Sequence, residues 1–375
     1  MTTAPPALRR ATWLALVAVA AAVLVVSAAV AGTRDEDDGL AELVQRVSDA
    51  GAPGVLLLVR DGNETRTEVR GIADGEHDPS IRAFDRFRVG SVTKTFVAVV
   101  VLQLVAGGQL QLDDTVEEWL PGLVPAGSEI TVRQLLSHTS GLYDYVDDPR
   151  VFAAYAQDPG HAWAPRELLA IALEHPARSD PGDRYAYSST NYLRLGLIVE
   201  AATGQPLAAA LQARVFEPLG LERTTFDARY VRGPYVHGHR APSHHGVVTG
   251  EPRDTSDEAA SWAWAAGAVV STADELNRFF AALLGGRLLE PPELREMETL
   301  VPAGALRYGL GLAVFPTSCG GAWGHTGNAQ GTVTVAWNRR DASRQVVLVV
   351  NTYPLTPELE AAVRELEVAA FCEGS

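Results

Sequence analysis

Lysine is almost absent from this chain. Of 31 basic residues, Lys94 is the only lysine and all the others are arginine. An arginine keeps its proton in a protein, whereas a buried lysine can lose it. The chain therefore holds a single amine suited to act as a base. Positive charge as a whole is short: 31 basic against 46 acidic residues leaves a net charge of −15 and a pI near 5.1. That balance excludes nucleic acid as a natural partner and predicts an acidic, soluble surface. There is no G-x-S-x-G elbow, no phosphate-cradling glycine loop and no H-E-x-x-H zinc helix, so three common catalytic designs are excluded. No internal repeat is seen. Cysteine is limited to Cys319 and Cys372.

What is present is a long chain rich in apolar residues. With 375 residues and 47% hydrophobic composition, it can bury a sizeable core. Arg9 and Arg10 precede a near-continuous apolar run from Ala11 to Ala31, interrupted by Thr12 and Ser27. A basic flank, an apolar centre and the small-residue ending Ala29-Val30-Ala31 fit a secretory signal. The length also suits an uncleaved membrane anchor with the body outside. Residues 1–38 are thus read as signal peptide or anchor plus an acidic linker, Thr33 to Gly39. Residues 39–375 are read as the working domain, acting extracytoplasmically. Export would allow Cys319 and Cys372 to join, the alternative being two separate buried thiols.

Periodicity predicts helix over Leu40–Ala50, then strands over Gly54–Arg60 and Thr65–Ile72 joined at Asp61-Gly62-Asn63. Helical spacing follows in Thr131–Leu136, Pro165–Leu173, Thr190–Ala202, Pro206–Phe216 and Thr272–Leu284. Strand character returns in Tyr308–Phe315, Gly331–Asn338 and Gln345–Asn351, and Pro357–Phe371 reads as a closing helix. Strands at both ends and helices between them predict an α+β fold. The terminal segments would form one antiparallel sheet flanked by helices, and residues of roughly 98–305 an all-helical lobe.

The chemistry centres on Arg88-Val89-Gly90-Ser91-Val92-Thr93-Lys94. Ser91 and Lys94 stand three apart at the head of an apolar run, Phe96 to Leu104. On a helix that spacing places both on one face, about a turn apart. Pro181 to Tyr192 sets several hydroxyls and an amide before a helix, which alone reads as a turn with Thr190 as N-cap. His325-Thr326-Gly327 alone reads as a tight turn at a strand edge. Ser137-His138-Thr139-Ser140-Gly141 reads as a helix-ending turn. His237, His239, His244 and His245 share one segment and read as an exposed loop rather than a metal site, because no carboxylate–histidine ligand spacing accompanies them.

Taken together, Ser91-Val92-Thr93-Lys94, Leu135 to Leu142, Tyr187-Ser188-Ser189, Tyr308-Gly309-Leu310-Gly311-Leu312 and His325-Thr326-Gly327 resemble the serine β-lactamase and penicillin-recognising enzyme superfamily. The likeness is closest to class C-type β-lactamases and D-alanyl-D-alanine carboxypeptidases, and it runs from Leu40 to Cys372. It implies a β-lactamase/transpeptidase-like fold and a serine hydrolase that works through an acyl-enzyme without metal or cofactor. Ser91 would be the nucleophile, with Lys94 and Tyr187 moving its proton. The backbone N–H groups of Ser91 and Asn328 would hold the oxyanion, and Ser189, His325, Thr326 and Gly327 would line the substrate site. A D-alanyl-D-alanine carboxypeptidase-like activity on a small peptide or peptidoglycan precursor is the leading expectation. A β-lactamase or esterase, or a non-catalytic penicillin-binding sensor, are the alternatives.

Two positions depart from the family pattern. Ser189 stands where the family has asparagine, with Asn191 nearby as a substitute. His325 stands where β-lactamases of this type carry lysine, which tilts the reading toward carboxypeptidases and esterases, although Ala313-Val314 stand where carboxypeptidase-like members can place a basic residue.

Overall fold

The computed structural model describes residues 39–373 except 75–79, 124–126, 232–233 and 245–246. The apolar run Ala11–Ala31, and all of the acidic linker except Gly39, lie outside the described residues. Among the described residues, no helix is long and apolar enough to cross a membrane.

Eight strands form the main sheet: β1 (Gly54–Asp61), β2 (Glu64–Gly71), β3 (Val301–Ala303), β4 (Leu306–Tyr308), β5 (Ala313–Thr317), β6 (Gly320–Ala329), β7 (Thr332–Asn338) and β8 (Arg344–Val350). Their order is β3-β4-β5-β6-β7-β8-β1-β2, and every pairing is antiparallel. The two ends of the domain meet where Val55 faces Val350. Side chains alternate across a strand, and here both faces are buried. Leu56, Leu58, Val347 and Val349 point into the main core, while Val55, Leu57, Val346 and Leu348 enter a second core on the opposite face. That second core is closed by α1 (residues 39–49), through Leu40, Leu43, Val44 and Val47, and by α6 (Pro357–Cys372), through Leu359, Val363, Leu366 and Ala370. A disulfide joins Cys319 beside β6 to Cys372 at the end of α6.

The main core lies between the sheet and a layer built around α2 (Thr93–Ala106). Val97, Val99, Val100 and Val101 are poor helix formers on their own, being stiff at χ1. Burial overrides that preference: every residue from Thr93 to Leu102 is buried, so α2 is a core helix and not an amphipathic one. Phe96 stacks on Phe279 with ring centroids 3.7 Å apart, which docks α5 (Ala273–Leu284) against it. α3 (Val132–Leu136), capped by a Thr131–Gln134 box, and α4 (Thr190–Thr203), stopped by Gly204 at φ +66°, complete the surroundings of the site.

The stretch 98–305 is not all-helical: short strands such as Thr225–Phe226, His239–Arg240 and Val269–Ser271 lie within it, too brief to show a period, and Val301–Ala303 belongs to the main sheet. Two other elements differ from the periodicity. Tyr308–Phe315 is two strands, broken at Gly309-Leu310-Gly311-Leu312. A Cβ on Gly309 would lie 2.0 Å from Met297 O, and one on Gly311 2.4 Å from Ala98 Cβ. The segment leaves the sheet to press its backbone onto neighbouring helices, and Thr95 Oγ1 donates to Gly311 O at 2.7 Å. Pro206–Phe216 is a short α-helix, Leu207–Leu211, that widens into a π turn over Gln212–Phe216.

Candidate active site

Ser91 lies on a 3₁₀ turn, Gly90–Val92, that runs directly into α2. Gly90 has φ +54°, and a Cβ there would sit 2.6 Å from Asn328 O. A Cβ on Gly327 would sit 2.0 Å from Val89 O and 2.8 Å from Ser91 N. These two glycines let β6 and the serine turn touch backbone to backbone. His325-Thr326-Gly327 is therefore the middle of a ten-residue strand and not a turn.

Lys94 is fully buried. Its Nζ donates to Ser91 Oγ at 2.9 Å and to Ala266 O at 2.8 Å. Burial lowers its pKa from 10.5 to about 7, against the opposing charge of Asp144. The amine is thus half neutral near pH 7, with a hydroxyl as its neighbour. Tyr187 hydrogen-bonds the same serine, and its ring lies 5.0 Å from Lys94 Nζ. Burial holds the Tyr187 phenol well above its ordinary pKa. It therefore carries its proton at neutral pH, which suits it to relay a proton and leaves the role of base to the amine.

His325 is buried under Tyr308, whose hydroxyl is 2.9 Å from Nε2, while Nδ1 meets Thr326 O. A carbonyl only accepts, so Nδ1 carries the hydrogen and Nε2 accepts from Tyr308. Burial, with the Lys94 charge nearby, lowers its pKa to about 3. The imidazole is neutral over the working range.

Two cavities meet at the serine, sharing Ser91, Tyr187 and Asn328. The smaller, about 250 Å³, is walled by Tyr185, Leu306, Tyr308, Ala313, Phe315 and His325, with Thr326 and Gly327 on the strand side. The larger, about 800 Å³, is reached by Asp144, Ser189, Arg240, Trp262, Gln330 and Tyr353. Ser189 faces this larger cavity from the start of α4, and Lys94 takes the Ala266 carbonyl as its second partner. Asn191 does not replace the family asparagine. It is buried, accepting from Ser140 Oγ at 2.5 Å and meeting His138 Nδ1 at 3.0 Å.

His138 belongs to the site's support. Its Nδ1 accepts from Ser188 N, and its ring stacks on Tyr187 at 4.2 Å between centroids. The Ser137–Gly141 turn thus holds the tyrosine loop in place as well as ending α3. His237 and His239 are not on an exposed loop. His239 is buried against Asn351 O, and His237 Nδ1 lies 2.9 Å from Asp254 and 3.6 Å from Asp74, tying three segments together. The side chain of His244 is not among those described, and His245 lies outside the described residues.

Sequence reasoning missed Asp144, Ala266 and Gln330. Asp144 caps the short turn Tyr145–Asp147, accepting from Val146 N at 3.2 Å, and it also accepts from the Ser189 N–H. Burial pushes its carboxyl up, opposed by those two N–H groups and the Lys94 charge. Gln330 donates Nε2 to Glu258 O at 2.8 Å, which leaves its buried Oε1 without a partner among the described residues.

A serine bonded to both a half-neutral lysine and a protonated tyrosine, at the junction of an antiparallel sheet and a helical layer, defines an active-serine hydrolase. A family model described as Beta-lactamase matches residues 40–370. The chain belongs to that family, and is a serine hydrolase of the β-lactamase and penicillin-binding superfamily. A D-stereospecific amidohydrolase from Streptomyces sp. superposes with TM-score 0.81 at 34% identity, covering 90% of this chain and 98% of that one. The D-amino acid amidase of Ochrobactrum anthropi SV3, solved with L-phenylalanine amide, gives TM-score 0.80 at 25% identity over 89% and 97% of the two chains. Esterase EstB of Burkholderia gladioli is 38% identical over 182 residues, 46% of each chain. The chain spans 64% of the length of the first curated relative it matches, and about half of the next.

Proposed function

We propose that this protein is an extracytoplasmic amidohydrolase that transfers an amino-acid-derived acyl group, carrying a free α-amine, to Ser91 and then to water. Lys94 accepts the Ser91 proton as Oγ attacks the carbonyl carbon. The Ser91 and Asn328 N–H groups receive the oxyanion, a donor of this kind being worth about 3 kcal/mol. Tyr187 delivers the proton to the departing nitrogen, the C–N bond breaks, and water repeats the sequence on the ester.

The observation that carries this reading is the Asp144 carboxylate, a buried acceptor at the wall of the larger cavity. An arriving ammonium pairs with that carboxylate and restores the ionised state that burial disfavours at Asp144. The smaller cavity supports an uncharged leaving group. Ala313 and a neutral His325 offer no cation there for a terminal carboxylate, so an amide fits better than a D-alanyl-D-alanine terminus. The likeness to D-stereospecific amide hydrolases supports a preference for D-configured residues. The apolar run Ala11–Ala31 and the Cys319–Cys372 bond support a site of action outside the cytoplasm.

The test compares D- and L-phenylalanine amide, their N-acetyl forms, a peptide ending in D-Ala-D-Ala, nitrocefin and p-nitrophenyl acetate, with Ser91→Ala as control. We expect ammonia release from the D-amide at least tenfold faster than from its N-acetyl form, and a raised KM in Asp144→Asn. Preferential release of D-alanine from the peptide would restore the carboxypeptidase reading. Turnover of nitrocefin or the acetate alone would favour a β-lactamase or esterase. No Ser91-dependent turnover at all would leave a penicillin-binding sensor.

A further inference from the structure

The larger cavity has more room than an amino-acid amide needs, and its charges are unequal in origin. Among the described residues lining it, Asp144 and Arg240 are the charged ones. Arg240 belongs to a short strand, His239–Arg240, where it pairs with Arg253 on one side and Tyr353 on the other. Two arginines facing each other across strands repel unless an anion lies between them. The anion is Glu258, which is fully buried. Its Oε1 accepts from Arg240 Nη2 at 2.5 Å and also from Arg253 Nη2.

Two guanidinium groups therefore share one carboxylate, and the cluster keeps a surplus positive charge in a protein whose net charge is −15. Arg253 spends its side of that surplus on solvent, its side chain being about half exposed, whereas Arg240 faces the cavity and is mostly covered. Among the described residues, no acceptor other than Glu258 bonds the Arg240 guanidinium. An arginine with donors to spare at a cavity wall matches a carboxylate, which it binds in a planar, two-pronged way. Phe152, with its ring centroid 6.0 Å from the Arg240 guanidinium carbon, supplies an apolar flank that keeps that contact from water.

We propose that Arg240 makes the far wall of the larger cavity a carboxylate subsite, so that the preferred acyl group carries a second, anionic carboxyl beyond its reacting carbonyl. The subsite rests on the proposed function only in that Ser91 is the group acylated. The acyl group then bridges the cavity, its ammonium at Asp144 and its carboxylate at Arg240.

The experiment uses matched boronic acids that differ only in ending with a carboxylate or a carboxamide, competing against fluorophosphonate labelling of Ser91 in the wild-type protein, Arg240→Gln and Arg253→Gln. A charge-assisted hydrogen bond is worth about 10- to 100-fold in affinity. We expect the carboxylate compound to win by that factor in the wild type, and the preference to vanish in Arg240→Gln, with the carboxylate losing far more than the carboxamide. Glu258 keeps Arg253 as a partner in that variant, so the fold is retained. Arg253→Gln, which removes the surplus charge but leaves Arg240, reduces the preference part-way. Equal binding of the two compounds by the wild type, or an equal loss of both in Arg240→Gln, overturns the subsite. Failure of the amides as substrates with the boronate preference intact would instead overturn the proposed amidohydrolase activity and leave the subsite standing.

Discussion

Replacing Lys94 by arginine keeps the charge and most of the length but removes the ability to be neutral. In the folded protein the Lys94 pKa falls from 10.5 to about 7, chiefly because the amine is taken out of water. At pH 7 about half of the molecules then hold a free base beside Ser91, whereas an unshifted amine would supply roughly one in three thousand. Acylation of Ser91, followed with a fluorophosphonate or a chromogenic ester, should rise about tenfold per pH unit from pH 5 to 7 and level off above. Lys94→Arg should lose at least about a thousandfold at pH 7 and recover nothing up to pH 9.

The same shift has a stability side. The unfolded chain holds the lysine proton up to its pKa of 10.5, while the folded chain releases it near 7. Between these values the unfolded state binds more protons, so stability rises with pH; below pH 7 the full cost, about 5 kcal/mol, remains. Lys94→Met should therefore stabilise the protein at pH 6 by several kcal/mol in denaturant titrations, with the gain shrinking towards pH 10. An acylation rate flat from pH 5 to 9, or a Lys94→Arg enzyme within tenfold of wild type, would refute the assignment of the base.

Three further expectations follow from the geometry. Tyr187→Phe removes the proton relay and should lower kcat by about 10²- to 10⁴-fold with little change in KM, as measured on the best amide substrate. Ala313→Arg puts a cation into the smaller cavity and should raise kcat/KM for peptides with a free terminal carboxylate at least about tenfold relative to amides, read as D-alanine against ammonia release. The Cys319→Ser, Cys372→Ser double variant opens a loop spanning 53 positions. It should cost about 4 kcal/mol on the chain-entropy estimate, seen as a lower urea midpoint, with a slope that rises because the unfolded chain is less constrained.

The sheet was legible because the short, continuous apolar runs of β1 and β8 and the helical spacing in α1 and α6 are local patterns. So was the pairing of Ser91 with Lys94, since three residues on one helix need no tertiary knowledge. The Gly309–Leu312 break was not, because its alternating glycines and leucines fit a strand, and nothing local shows that helix backbone will press on the glycines. Ala266 contributes a carbonyl, which any residue has, so no sequence signal for it exists. Asn191 looked like a substitute because it is an asparagine near the right place. Two positions at the head of α4, about half a turn, decide otherwise: Ser189 faces the cavity and Asn191 the interior. Asp144 and Arg240 reach the cavity from a turn and a two-residue strand, elements too short to show a period.

The contact between the Gly90 turn and β6 joins segments from opposite ends of the domain, and the sheet that carries β6 closes only when β1 finds β8. Pairings this distant along the chain are formed late and slowly. A chain still lacking β8 would have its serine and lysine side by side at the head of α2, yet β6, the wall opposite them, would not be tied to β1. Hydrolytic competence should then arrive in one step with the last strand, so that regain of activity during refolding times the closure of the sheet.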